Sequence, residues 1–344
     1  MTWTKKGKIR QGVASMLEVN LAVQDGEKVM VVTDPPRFRQ WRDLGMGRLQ
    51  EALERCVLAR MVADLAGELV PGADVAFLPY PAVDQHGAEP DATTAERMRT
   101  SDVIIAITNY SLTHTIAAQE ACEGGARIAS MPGFLAQMFE GPMAADYQRI
   151  ADDSKRMAQL LSEAQVALIA TPAGTDLTLS LAERSGDVDT GLVAVGRVEN
   201  LPAGEAFIAP LEGKARGKIV VTPKGYPGLE EEMTIHFTAG EVSEIQGGGQ
   251  VGDNLRLLLE LPEPGRQAAR RNVAELGIGT NPKARSVESV LEAEKIMGTV
   301  HIAIGDNAHI GGVIDADLHE DFVLWHPDLL LDGQPVIRNG EWLV

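Results

Sequence analysis

Through residues 1–182, short apolar runs alternate with helical stretches, and this alternation constrains the fold more than any other feature of the chain. KVMVVT (28–33), DVAFLPY (74–80), DVIIAIT (102–108), ARIASMP (126–132) and QVALIAT (165–171) read as strands. Helical periodicity covers 47–68, 92–99, 113–124 and 143–164. Strands separated by helices need crossover connections, which predicts an α/β fold with a doubly wound, mostly parallel sheet. No G-x-G-x-x-G follows the first strand and no G-x-x-x-x-G-K-[ST] occurs, so phosphate binding through those loops is unsupported.

The character changes near residue 185. GLVAVG, EAFIAP, GKIVVTP and MTIHFTAGEVSEIQGG are short extended runs separated by turn residues. They predict an antiparallel, β-rich α+β domain, with helices over 253–260 and 288–296. The expected division is therefore 1–185 for the α/β domain and 186–344 for the β-rich domain.

Charge and cysteine usage narrow the function classes. A net charge of −18 argues against nucleic acid and against an anionic membrane surface, because both need a basic footprint. No uninterrupted apolar run reaches the roughly 18 residues that a spanning helix needs. The basic N-terminus is followed by no apolar stretch of the signal-peptide kind. Cys56 and Cys122, far apart in sequence, suit a reducing cytoplasm.

Chemistry concentrates at the end of the chain, in GTVHIAIGDNAHIGGVIDADLHEDFVLWHPDLLLDG (298–333). His301, His309, His319 and His326 lie there among Asp306, Asp315, Asp317, Glu320 and Asp321. In a strand, residues two apart share a face, so His319 and Asp321 can present an imidazole and a carboxylate to one point. Such a pair suits Zn, Mn, Co or Fe. Glu205 in GEAFIAP, Glu275 in AELGIGTNP and His301 in GTVHIAIG each sit in or beside a run that should be buried. A buried carboxylate needs a partner, and either a divalent metal or a buried Arg would serve. His86 and His114 read as surface or capping residues, and His236 and His326 as structural.

These motifs resemble the M29 metallopeptidases of the aminopeptidase T and aminopeptidase S type. That family has a Glu in a P-x-E-E-V-F-T-A-P-like strand, a Glu in A-E-x-x-I-G-T-N-P, a His in G-x-x-H-L-A-L-G and a final H-x-D. The chain supplies Glu205, Glu275, His301, and His319 with Asp321, in that order. The resemblance is strong over 200–335 and weaker over the first half. It implies a cytoplasmic homodimer acting on a short peptide or other small molecule, with two divalent ions (Zn, Co or Mn) bridged by Glu275. Glu320 and Asp317 would hold the imidazoles in one tautomer. One departure stands out. The family has a catalytic Tyr seven residues after the strand His, whereas this chain has Ala308 there, with His309 beside it. His309 is able to donate to an oxyanion in its place or to coordinate weakly, and reads equally as a loop residue.

The same fold family looks to include 2,5-dihydroxypyridine 5,6-dioxygenases, which use one Fe(II) held by two His and one Asp. Those enzymes have a His where this chain has Glu275, and a last motif closer to C-H-L-D-I-P. Glu275 thus favours the hydrolase expectation and Ala308 weakens it.

Overall fold

The computed structural model describes residues 5–113, 115–261, 269–287 and 289–344. Among them eighteen strands are numbered here in chain order. The chain divides into two compact units, Met1–Gln148 with Thr190–Ala203, and Arg149–Asp189 with Gly204–Val344.

The first unit is built on β1 (Lys28–Thr33), β2 (Asp74–Pro79), β3 (Val103–Ala106), β4 (Arg127–Ser130) and β8 (Val198–Asn200). They form one parallel sheet in the order β2-β1-β3-β4-β8. The order reverses at β1, as in a doubly wound fold. β3 and β4 are buried along their whole length, which is why they read as continuous apolar runs. Helices Met46–Leu69, Ala92–Arg99 and Ile116–Glu123 form the connections. Asp91 starts the second by accepting from the Thr93 and Thr94 amides, and Thr115 starts the third by accepting from Ala118.

The second unit holds two antiparallel sheets. One runs β12 (Glu241–Gly247), β11 (Met233–Thr238), β10 (Arg216–Val221), β6 (Asp176–Ser180), β5 (Val166–Ala170), β16 (Asp328–Leu331), β17 (Gln334–Arg338), β18 (Glu341–Trp342). The other runs β15 (His319–Leu324), β14 (Val300–Gly305), β13 (Val273–Gly279), β9 (Glu205–Ile208), β7 (Asp187–Asp189). Their apolar faces share one core with Met157 and Leu161 of helix Tyr147–Glu163 and Leu255 and Leu259 of helix Gly249–Glu260. Each buried Leu or Ile there contributes roughly 1.5–3 kcal/mol.

Two expectations change. β5, read as the last strand of the parallel sheet, pairs antiparallel with β6 and β16. Its burial alternates, with Val166 and Leu168 partly exposed, so an apolar sequence on a one-sided strand mimicked a two-sided one. β8, in the stretch read as antiparallel, closes the parallel sheet instead. A single cut near 185 therefore does not describe the division, because 149–189 goes with the second unit and 190–203 with the first. The helix expected at 288–296 is found as Val290–Ala293, with residue 288 outside the described residues. His114 also lies outside them. No described helix is long and apolar enough to cross a membrane.

Candidate metal centre

Strand register explains how residues far apart in sequence meet. In the second unit's five-stranded sheet, Asp189, Glu205 and Gly279 are cross-strand partners in one row. Phe207, Gly277, His301 and Val323 make the next row, and Glu275, Ala303 and Asp321 the one after. Gly305 and His319 pair beyond them. Directly opposed residues share a face, so all five candidate ligands project from the same side of one sheet. The intervening residues Ile208, Leu276, Ile278, Ile302 and Phe322 point the other way, into the core.

Two local devices aim these side chains. The register of β13 shifts between Val273 and Glu275, as at a β-bulge. Val273 stays in the core, while Glu275 turns to the opposite face. At Gly277 a Cβ would lie 1.9 Å from His301 Nε2, so a glycine is what lets the imidazole lie across β13.

The resulting geometry is compact. His301 Nε2 lies 3.2 Å from Glu275 Oε1 and 3.4 Å from Glu205 Oε2. His319 Nε2 lies 3.3 Å from Glu275 Oε2 and 3.6 Å from Asp321 Oδ1. Two groups of potential ligands result, Glu205–Glu275–His301 and Glu275–His319–Asp321, with Glu275 common to both. Glu205, Glu275 and His301 are buried, whereas His319 and Asp321 are partly so.

This donor set fits a divalent metal. His319 Nδ1 lies 2.8 Å from the Asp306 carbonyl oxygen, a pure acceptor, so Nδ1 carries the hydrogen and donates it. In the neutral ring, Nε2 then offers a lone pair towards two carboxylates, an arrangement of acceptors that requires a cation among them. His301 Nε2 likewise lies between two carboxylates, Glu205 and Glu275, while its buried Nδ1 has no hydrogen-bond partner among the described residues.

Protonation shows the same demand. Burial disfavours charge on His301, yet the hydrogen bond with Glu275 and the charges of Glu205 and Glu275 lift its pKa from 6.5 to about 9. His319 is raised well above 6.5 against burial by Asp321 and Glu275. Burial pushes the Glu275 carboxyl up, but its two imidazole partners bring it well below the usual range. For metal-free protein the His301 pairing is fully stabilising below pH 6.5 and is lost as pH rises through about 9. Thermal melts of metal-free protein are therefore expected to fall across that interval, and melts with a bound divalent ion are not. A flat metal-free profile would contradict this linkage.

His309 is placed beside this centre without being one of its grouped donors. It sits on the turn Ala308–Ile310, its Nδ1 against Asp306 Oδ2, and its ring centroid is 5.2 Å from that of His319 in an edge-on arrangement. Asp306 thus serves both histidines, through its side chain and its carbonyl. The roles expected of Asp317 and Glu320 change accordingly. Asp317 receives the Arg270 guanidinium at 2.6 and 2.7 Å, and Glu320 accepts from the Tyr226 hydroxyl at 2.9 Å. Glu320 alternates to the face opposite His319 and Asp321. His326 is exposed at positive φ, and His236 lies on β11 in the other sheet.

Sequence reasoning named Asp306 without a role and missed Gly277 and Lys295. Asp306 had a signal, an acid three residues before His309 in a Gly-rich turn. Gly277 had none that one strand could give. Lys295 is fully enclosed, with its ammonium on Glu205 Oε1 and 2.8 Å from Glu294 Oε1. Its signal was a lysine directly after Glu294 in the run LEAEKIM that leads into β14.

A mixed α/β fold carrying clustered carboxylates and imidazoles defines the class, an α/β architecture with two groups of side chains able to hold a metal ion. The chain belongs to the family described as NicX: 2,5-dihydroxypyridine 5,6-dioxygenase, whose model it matches over residues 14–344. Among solved structures it is similar to 2,5-dihydroxypyridine dioxygenase from Pseudomonas putida KT2440, with TM-score 0.73, 17% identity, and coverage of 99% of this chain and 98% of that one. It is also similar to wild-type AmpT from Thermus thermophilus, with TM-score 0.67, 15% identity, and coverage of 98% and 100%. A curated relative, AMP phosphorylase from Methanococcus vannielii, is 24% identical over 256 residues, which are 67% of this chain. The chain spans about half the length of that relative (50%).

Proposed function

We propose that the chain is a metal-dependent hydrolase that cleaves a peptide or small amide bond in the manner of an aminopeptidase. The observation that supports it best is the division of the donors into two groups joined by Glu275. Each group combines one imidazole with two carboxylates, which suits a pair of divalent ions such as Zn, Co or Mn. An Fe(II) oxygenase triad needs two imidazoles and one carboxylate on one ion. Here the two imidazoles fall in different groups.

In this reading Glu205 and His301 would hold one ion, His319 and Asp321 would hold the other, and Glu275 would be available to both. Bound ions of this kind polarise a scissile carbonyl and acidify an attacking water. The Asp306 carbonyl keeps His319 in the tautomer that turns Nε2 to the centre. Asp306 also orients His309, which donates a hydrogen bond to the oxyanion where the aminopeptidases have tyrosine.

A second reading, a ring-cleaving Fe(II) dioxygenase, is favoured by the family match over residues 14–344. Elemental analysis after anaerobic purification, combined with two assays, separates the readings. About two divalent ions per chain and release of the first residue from short peptides or amino-acid amides are expected. One iron per chain with oxygen uptake on a dihydroxypyridine would replace the hydrolase reading with the second.

A further inference from the structure

We propose that Lys295 is a positioning residue for the metal centre: it pins Glu205 by one oxygen and leaves the other for the ion shared with His301. This inference rests on the two-ion reading above. Lys295 is 1% exposed, and three carboxylates surround its ammonium. Glu205 Oε1 accepts from it directly, Glu294 Oε1 lies at 2.8 Å and Asp189 Oδ2 at 3.8 Å. Glu205 is thereby split between two tasks, because its second oxygen, Oε2, faces His301 Nε2 at 3.4 Å.

The lysine's main chain is held in place. Its carbonyl accepts from the Asn281 amide at 2.9 Å, and Asn281 in turn accepts from the Met297 amide at 3.1 Å. Gly279, the cross-strand partner of Glu205, lies beneath this segment. A Cβ there would come within 2.1 Å of the Ile296 carbonyl, so the missing side chain lets the lysine-bearing turn settle over the ladder. Lys295 thus reaches Glu205 from a fixed point rather than from a loose surface stem.

Charge explains why a cation must sit there. Asp189, Glu205 and Glu294 crowd one enclosed volume, and without a counter-charge their mutual repulsion would swing Glu205 away. That movement removes a donor from the His301 group while leaving Glu275, His319 and Asp321 intact. Lys295 therefore controls the second ion and not the first.

Titration of metal-free protein with Mn(II), followed by calorimetry and electron paramagnetic resonance, tests this. Wild type is expected to take up two ions and to show the spectrum of a coupled pair. In Lys295→Met the second ion binds about 10–100-fold more weakly, the effect of losing an outer-shell partner, and the spectrum becomes that of an isolated ion. The first affinity stays unchanged. The double variant Lys295→Met/Glu294→Gln removes one carboxylate with the lysine and so relieves the unbalanced charge. It is expected to recover thermal stability but not the second ion. Wild-type-like uptake of two ions by either variant, or tighter binding of the second, overturns the role of Lys295 alone. Uptake of a single ion by wild type overturns the two-ion reading and this inference with it.

Discussion

Glu275→Gln is expected to empty the centre of metal while leaving the fold in place. Glu275 is the one residue common to both donor groups, with Oε1 turned to His301 and Oε2 to His319. The amide keeps the shape of the carboxylate, can donate to one imidazole and accept from the other, but cannot supply an anionic bridge. Losing an outer partner of a metal ligand typically costs about 10–100-fold in affinity or activity, and losing a shared inner donor should exceed that at both positions. Elemental analysis should show metal content falling at both sites together, with the circular dichroism spectrum unchanged. A variant that keeps its metal and its turnover would show that Glu275 bridges nothing.

Gly277→Ala is expected to disable the His301 position through shape alone. In most strands this exchange is neutral or stabilising, because glycine weakens a strand interior by roughly 0.5–1 kcal/mol relative to alanine. Gly277 is not at positive φ, so its backbone suits alanine. The new methyl, however, would lie 1.9 Å from His301 Nε2 and 2.1 Å from Cε1. His301 is buried and cannot swing into solvent. Overpacking of this kind costs about 1–3 kcal/mol and pushes the ring off its two carboxylates. The sign is the test: a lower melting temperature and loss of one ion are expected, with the Glu275–His319–Asp321 group retaining its own. An unchanged or raised melting temperature with full metal content would mean that the imidazole does not need this gap.

The sequence carried the strands well and singled out the five side chains that the structure brings together, for reasons visible in particular residues. VHIAIG and VAELGIG are short apolar runs interrupted by one histidine and one glutamate, and a polar residue enclosed in such a run demands a partner. H-x-D on β15 follows from a period of two. What the sequence hid was register. Glu205 and Lys295 are 90 residues apart, and only the pairing of Gly279 with Glu205 shows that the lysine-bearing turn lies over that carboxylate. Gly277 looks like any strand glycine until His301 is placed opposite it. The bulge before Glu275 is likewise invisible, since strict alternation would put Glu275 on the face of Val273. β5 misled in the other direction, because VALIA is apolar throughout while only alternate residues are enclosed.

The five donors hang from a hydrogen-bonded ladder, whereas Asp306, Ala308 and His309 occupy the turn that leaves β14. Anchor and tool are thus held by separate pieces of backbone. Mutation can rewrite the turn without disturbing the pairing that gathers the five side chains. A scaffold of this design therefore has two separate places in which to record divergence: the sheet, in the identity of the side chains it gathers, and the loop, in the group set beside them.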